Sequence, residues 1–301
     1  MQSDPVHGLL AATFAPFAND GSLDVSTVGP MVDHLIADGV GGLFISGTTG
    51  EGESLTMGER RDVATAYVDA AAGRTRVIVQ VGRQSLHEAR DLAQHAASVG
   101  ADAVSAGSPA FFKPRDEETL AASMAVIAAG SPTLPFYYYH IPGLSGAPTD
   151  MTAFLRAAES CIPNLRGIKF SEVNVEGFEA CVSDPRYDVL WGVDEMLLTG
   201  LDHGARGAIG STYNFAAPLY RRIIEAWKSG DQSTAQTEQA RALEMVKVIT
   251  SRDAIPALKA TMKIIGFDCG GTRLPNLALD DEQVAQLRTD LDAIGFFDWA
   301  R

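Results

Sequence analysis

The sequence predicts a closed (β/α)8 barrel, the TIM barrel fold, with additional helices at its C-terminal end. Three observations predict it. Eight short apolar, β-branched or aromatic runs alternate with longer stretches of helical period. After the eighth run the pattern turns wholly helical. No Gly-x-Gly-x-x-Gly follows the first run, so the alternation lacks the fingerprint of an open dinucleotide-binding sheet.

Strands are expected over 9–14, 42–45, 76–81, 103–105, 135–139, 167–170, 189–191 and 207–209. Helices fill the intervals. Val28, Met31, Val32, Leu35 and Ile36 form an apolar stripe at helical spacing, and 86–97 and 119–129 follow the same rule. Beyond the eighth strand, helical segments are expected near 218–228, 232–249, 255–265 and 281–294, a tail suited to capping the barrel or building a subunit contact. With 301 residues and no low-complexity linker, charge block or solenoid repeat, the chain reads as one domain. The barrel occupies about 8–230 and the helical extension about 231–301.

Composition excludes several classes of function. A hydrophobic content of 46% with 21% charged residues is that of a soluble globular protein. The 24 Lys and Arg against 38 Asp and Glu give a net charge of −14, which argues against a nucleic-acid partner, because phosphate backbones need clustered cations. Cys161, Cys181 and Cys269 are too far apart for a zinc knuckle or a redox pair and are expected to be reduced core thiols. The N-terminus, Met1-Gln2-Ser3-Asp4-Pro5, has no basic or apolar leader region, and no later apolar run approaches the ~20 residues of a membrane span. A cytoplasmic protein without a membrane partner is expected.

In a barrel of this kind catalytic groups project from strand C-termini and the loops that follow. Gly47-Thr48-Thr49-Gly50-Glu51 follows strand two. Its glycines, free amides and hydroxyls suit a carboxylate or phosphate, or else form a glycine-rich turn whose threonines cap the next helix. Without Gly-Lys-Ser/Thr it is not a nucleotide P-loop. Phe136-Tyr137-Tyr138-Tyr139-His140 ends strand five, and alternation places Tyr137 and Tyr139 on one face and Tyr138 on the other. A tyrosine there serves as a proton relay or as core packing. His140 has no Cys, Ser or second His nearby and reads as structural.

Gly167-Ile168-Lys169-Phe170-Ser171 places a lysine among apolar residues on an inner strand. Desolvation favours the free amine that imine formation with a ketone requires; the alternative is a lysine snorkelling to solvent. After strands seven and eight come Trp191-Gly192-Val193-Asp194-Glu195 and Gly207-Ala208-Ile209-Gly210-Ser211-Thr212-Tyr213-Asn214. Asp194 and Glu195 are acceptors for substrate hydroxyls or acids favoured at a helix N-terminus.

An anion turn after strand two, a tyrosine ending strand five and a lysine on strand six, in that order, resemble the N-acetylneuraminate lyase and dihydrodipicolinate synthase family of class I aldolases. The likeness runs from about Leu9 to the helices after Asn214. It implies that Lys169 is the Schiff-base lysine, that Tyr139 is the general acid/base, and that Thr48 and Thr49 hold the carboxylate of a 2-oxo acid. It also implies no metal and no organic cofactor.

Synthases acting on aspartate semialdehyde usually carry an arginine two positions after the proline of the strand-five motif; this chain has Leu144. The runs from Tyr139 to Gly146, Lys169 to Ser171 and Gly210 to Asn214 instead resemble the sialic acid lyases. By that resemblance Ser171, Gly192, Asp194, Glu195, Gly210 and Ser211 line the sugar site. The implied reaction is reversible cleavage of N-acetylneuraminate to N-acetylmannosamine and pyruvate, in a homotetramer. The alternatives are an aldolase or dehydratase for another 2-oxo sugar acid, a dihydrodipicolinate-synthase-like enzyme, and a keto-acid-binding sensor without activity. One departure stands after strand four, where many relatives have a tyrosine pair and this chain has Phe111 and Phe112.

Overall fold

Period-two alternation decides which side chains fill the barrel and which meet the helices. In the computed structural model, which describes residues 5–300, eight strands close into one parallel barrel in sequence order. They are β1 (Gly8–Ala12), β2 (Gly42–Ile45), β3 (Arg76–Gln80), β4 (Ala103–Gly107), β5 (Phe136–His140), β6 (Leu165–Phe170), β7 (Asp188–Trp191) and β8 (Gly207–Gly210). The expectation that no leader precedes the barrel concerns residues 1–4, which, like residue 301 of the helical extension, lie outside the described residues.

Leu10, Ala12, Phe44, Ile78, Ala103, Tyr137, Tyr139, Leu190 and Ile209 pack together inside the barrel. Their neighbours in sequence, among them Ala11, Ile45, Val79, Val104, Tyr138, Ile168 and Trp191, point outward into the larger core beneath the helices. Residues of one set on β5 and β6 therefore reach the cavity together, in register.

The helices are α1 (Val28–Ala37), α2 (Met57–Ala71), α3 (Leu86–Ser98), α4 (Glu117–Ala128), α5 (Pro142–Ser145), α6 (Met151–Ala158), α7 (Val175–Val182), α8 (Leu197–Asp202), α9 (Tyr213–Ser229), α10 (Gln232–Thr250), α11 (Ala254–Ile264), α12 (Asp281–Ala293) and α13 (Phe296–Trp299). Short polar side chains start many of them. Thr56 and Glu59 form a reciprocal capping box on α2, Asp280 and Gln283 another on α12, and Ser85, Asp116, Asp150, Asn174 and Asp231 cap α3, α4, α6, α7 and α10. Among the described residues, no helix is long and apolar enough to cross a membrane.

The structure moves several expected boundaries. Strand one stops at Ala12, two residues early; the Phe14 carbonyl accepts from the Tyr67 hydroxyl at 2.7 Å instead of joining the sheet. Strand four runs on to Gly107. Pro218, expected near a helix start, sits inside α9, with a break in the helical backbone at Ala216 (φ −139°). A proline there has no N–H for the carbonyl four residues back. That carbonyl, Asn214 O, accepts instead from His34 Nε2 of α1 at 3.0 Å. Cys181 and Cys269 are buried thiols as expected, but Cys161 is exposed, because it falls in the turn after α6 rather than on an inward face.

Candidate active site

A cavity of about 290 Å³ opens at the C-terminal end of the barrel. Lys169 and Tyr139 are direct partners across the β5–β6 ladder, so both enter it side by side. Lys169 is 5% exposed, and its Nζ stands 4.1 Å from the centroid of the Tyr139 ring and 4.2 Å from that of Phe44. Among the described residues no carboxylate lies within 4.0 Å of it. Both rings lie within cation–π range of the nitrogen.

The turn after β2 supplies the next groups. Thr48 Oγ1 is 3.2 Å from Tyr139 Oη, and Thr49 Oγ1 is 2.6 Å from Ser211 Oγ, so the turn is joined both to the tyrosine and to the end of β8. The amides of Thr48, Thr49 and Gly50 have no acceptor among the described residues. Unspent N–H groups beside two hydroxyls are the donor set a carboxylate needs.

The loop after β7 supplies the two acids. Asp194 is 9% exposed and accepts from the Thr212 amide at 2.8 Å and the Thr212 hydroxyl at 2.7 Å. Burial pushes its carboxyl up to about 6, against the pull of those hydrogen bonds. The Thr212 hydroxyl in turn lies 2.7 Å from the Tyr220 hydroxyl of α9. Glu195 also lines the cavity, and its backbone is held by Gln239 of α10 at 2.8 Å.

Two glycines make room for this arrangement. A Cβ on Gly210 would fall 2.2 Å from Asp194 Oδ1, and one on Gly192 would fall 2.1 Å from Ser171 Oγ and 2.9 Å from the Phe170 carbonyl. All ten residues marked by the sequence, Thr48, Thr49, Tyr139, Lys169, Ser171, Gly192, Asp194, Glu195, Gly210 and Ser211, therefore line one cavity.

Neighbouring candidates lie elsewhere. Tyr137 is inside the barrel but lower, donating to Asp188 at 3.0 Å, and Tyr138 faces outward against Phe154. His140 also faces outward, fully buried, with Nε2 3.0 Å from Glu172; burial lowers its imidazole below the usual range, and Glu172 offsets part of that. Phe111 and Phe112, 79% and 83% exposed, stack edge to face on each other and line no part of the cavity. Leu144 is 64% exposed in α5 and does not line it either.

Sequence reasoning missed the remaining wall. Val246, Ile249 and Thr250 of α10 and Ala254, Ile255 and Leu258 of α11 also line the cavity. It also missed Phe44 beneath Lys169, which only the barrel's register reveals. Lys259, flanked by Leu258 and Ala260 much as Lys169 is flanked by Ile168 and Phe170, carried a readable signal. It is paired with Glu51 at 2.9 Å.

Comparison with known proteins gives a consistent result. The model of the dihydrodipicolinate synthetase family matches residues 5–294. An N-acetylneuraminate lyase of Rattus norvegicus is 36% identical over 97% of this chain and 93% of its own length, and one of Xenopus tropicalis is 40% identical over 89% and 90%. The solved N-acetylneuraminate lyase of Proteus mirabilis superposes with a TM-score of 0.95 at 37% identity, covering 97% of this chain and all of its own. The chain belongs to the dihydrodipicolinate synthetase family, and is an enzyme of its class I aldolase and lyase kind.

Proposed function

We propose that this chain is an N-acetylneuraminate lyase, cleaving the sugar acid reversibly to N-acetylmannosamine and pyruvate by way of an imine on Lys169. The observation that carries the reading is the pairing of an enclosed amine without a counter-ion and a tyrosine on adjacent strands, within one cavity.

The chemistry follows from the groups present. The Lys169 amine adds to the 2-oxo carbon and water leaves, giving a protonated imine that attracts electrons. As the C3–C4 bond breaks, its electron pair moves toward the imine nitrogen to form an enamine. The C4 hydroxyl becomes the aldehyde oxygen, and its proton is carried by Tyr139. Protonation at C3 and hydrolysis of the imine release pyruvate and the lysine. Thr48, Thr49 and the free amides of their turn hold the carboxylate throughout.

Choice of a sugar rather than a second acid rests on charge. Lys169 is the single cationic side chain lining the cavity among the described residues, whereas the loop after β7 brings Asp194 and Glu195 to it. Carboxylates there accept hydrogen bonds from hydroxyls and repel a further carboxylate. Ser171, Gly192, Gly210 and Ser211 complete that polar surface. The names of the relatives support the same substrate.

No metal or organic cofactor enters this scheme. The same reading has barrel and helical extension folding as one domain, assembling as a cytoplasmic homotetramer; light scattering tests the stoichiometry. For the chemistry, borohydride reduction with pyruvate is expected to leave a covalent adduct on Lys169. Equal trapping by Lys169→Ala would overturn the imine, and failure to turn over N-acetylneuraminate in a panel of 2-oxo sugar acids would overturn the substrate.

A further inference from the structure

The turn that holds the carboxylate is itself held from the far end of the chain. Its backbone enters the left-handed region at Ser46 (φ 57°) and Glu51 (φ 49°), neither of them glycine, a conformation that persists only where the surroundings impose it. Glu51 Oε1 lies 2.9 Å from Lys259 Nζ of α11, and Oε2 accepts from the Arg273 amide at 3.0 Å. The two side chains of the ion pair are 1% and 2% exposed. Lys259 also donates to the Gly271 carbonyl at 2.6 Å and lies over the Phe17 ring at 4.1 Å.

The Arg273 side chain extends the attachment to α2, pairing with Glu59 at 2.5 and 2.9 Å. Glu59 is the capping-box residue of the helix that begins just after the turn. On the other side, Leu258, adjacent to Lys259, lines the cavity. The turn and the apolar wall are thus fixed to each other through one buried pair.

We propose that Glu51 and Lys259 are positioning residues, a buried latch that sets the place of Thr48 and Thr49 and with it the affinity for the carboxylate of the 2-oxo acid. This rests on the reading of the cavity as a 2-oxo-acid site. Neither residue of the latch lines that cavity. Both act through the turn, whose two threonine hydroxyls stand 3.2 Å from Tyr139 and 2.6 Å from Ser211. A shift of the turn relaxes both hydroxyl contacts and misdirects its three free amides. Binding of the acid weakens, while Asp194 and Glu195, held by Thr212 and Gln239, keep their geometry.

The test compares wild type with Glu51→Gln, and with the double variant Glu51→Gln, Lys259→Met, which replaces the ion pair by neutral groups of similar size. Pyruvate half-saturation is read by borohydride trapping, and Michaelis constants for pyruvate and N-acetylmannosamine in the synthetic direction. The expected result for Glu51→Gln is a rise of about tenfold in pyruvate half-saturation, the N-acetylmannosamine constant staying within about twofold. The double variant recovers thermal stability without recovering pyruvate affinity, which a purely structural role would not produce. A folded variant of either kind with wild-type half-saturation overturns the latch. A wild type that forms no pyruvate adduct overturns the 2-oxo-acid reading and the latch with it, so the two failures are told apart.

Discussion

Lys169 and Tyr139 are paired residues of neighbouring parallel strands, and the lysine nitrogen rests 4.1 Å from the centre of the tyrosine ring. Lys259 makes the contrast. It too is buried among apolar residues, but Glu51 neutralises it at 2.9 Å and the Gly271 carbonyl takes a second bond. Burial alone does not distinguish a nucleophile from a structural cation; the company of the nitrogen does.

Removing the phenol is expected to separate imine formation from bond cleavage. In Tyr139→Phe the ring contact with Lys169 remains and only the hydroxyl 3.2 Å from Thr48 is lost. Pyruvate should still be trapped on Lys169, while kcat for cleavage falls by about 10²- to 10⁴-fold. Cleavage at the wild-type rate would remove Tyr139 from the proton path.

Each of the two glycines of the proposed sugar surface has a distinct expected penalty. Gly210→Ala drives a methyl into Asp194 and should raise the Michaelis constant for the sugar about tenfold, with pyruvate trapping unchanged. Gly192→Ala meets the Phe170 carbonyl as well as the Ser171 hydroxyl, so the strand next to Lys169 must shift. Here kcat is expected to fall too. Steady-state constants for both variants, in both directions, check the difference.

Asp194 predicts a pH dependence of stability with a definite sign. Its carboxyl titrates at about 6 in the fold and near 3.8 when exposed, so the folded chain binds the extra proton in between. Stability from this group is therefore highest below about pH 4 and declines as pH rises through 6, by up to about 3 kcal/mol. Asp194→Asn keeps an acceptor for Thr212 and should flatten that slope in urea unfolding measured from pH 4 to 8. Sugar binding should show the opposite trend, weakening below pH 6 as the carboxylate acceptor is lost. An unchanged slope in the variant would assign the titration elsewhere.

The bond from His34 to the Asn214 carbonyl fills the place left by Pro218. His34→Ala is expected to cost about 1–2 kcal/mol by leaving that buried carbonyl unpaired. In a Pro218→Ala background, where an amide becomes available, the cost should shrink. A double-mutant cycle by chemical denaturation measures the coupling.

Much of this was legible in the sequence, for physical reasons that differ by region. Strands with a two-residue period and helices with short polar caps declare themselves locally, so the order of the barrel and the shared face of Tyr137 and Tyr139 could be read directly, but not which face looks inward. Ten residues of the cavity followed from the family resemblance, and they meet because barrel strands deliver their ends to one place. The wall from Val246 to Leu258 could not be read this way, since nothing in an amphipathic helix says which end of a barrel it covers. The start of α9 was misplaced because the donor that allows a proline inside it comes from His34, 180 residues away. Leu144 was legible as the absence of an arginine, but its position in a short exposed helix was not.

The cavity has two tenants of different ancestry in the chain. The proposed reacting pair sits on β5 and β6, whereas the largely aliphatic wall comes from α10 and α11, outside the closed sheet. Side chains such as Val246 and Ile255 can therefore be exchanged for larger, smaller or polar ones without disturbing the strands that hold the amine and phenol. That separation makes the C-terminal helices the natural ground for redesigning which aldehyde is accepted, leaving the carbon-carbon chemistry as inherited.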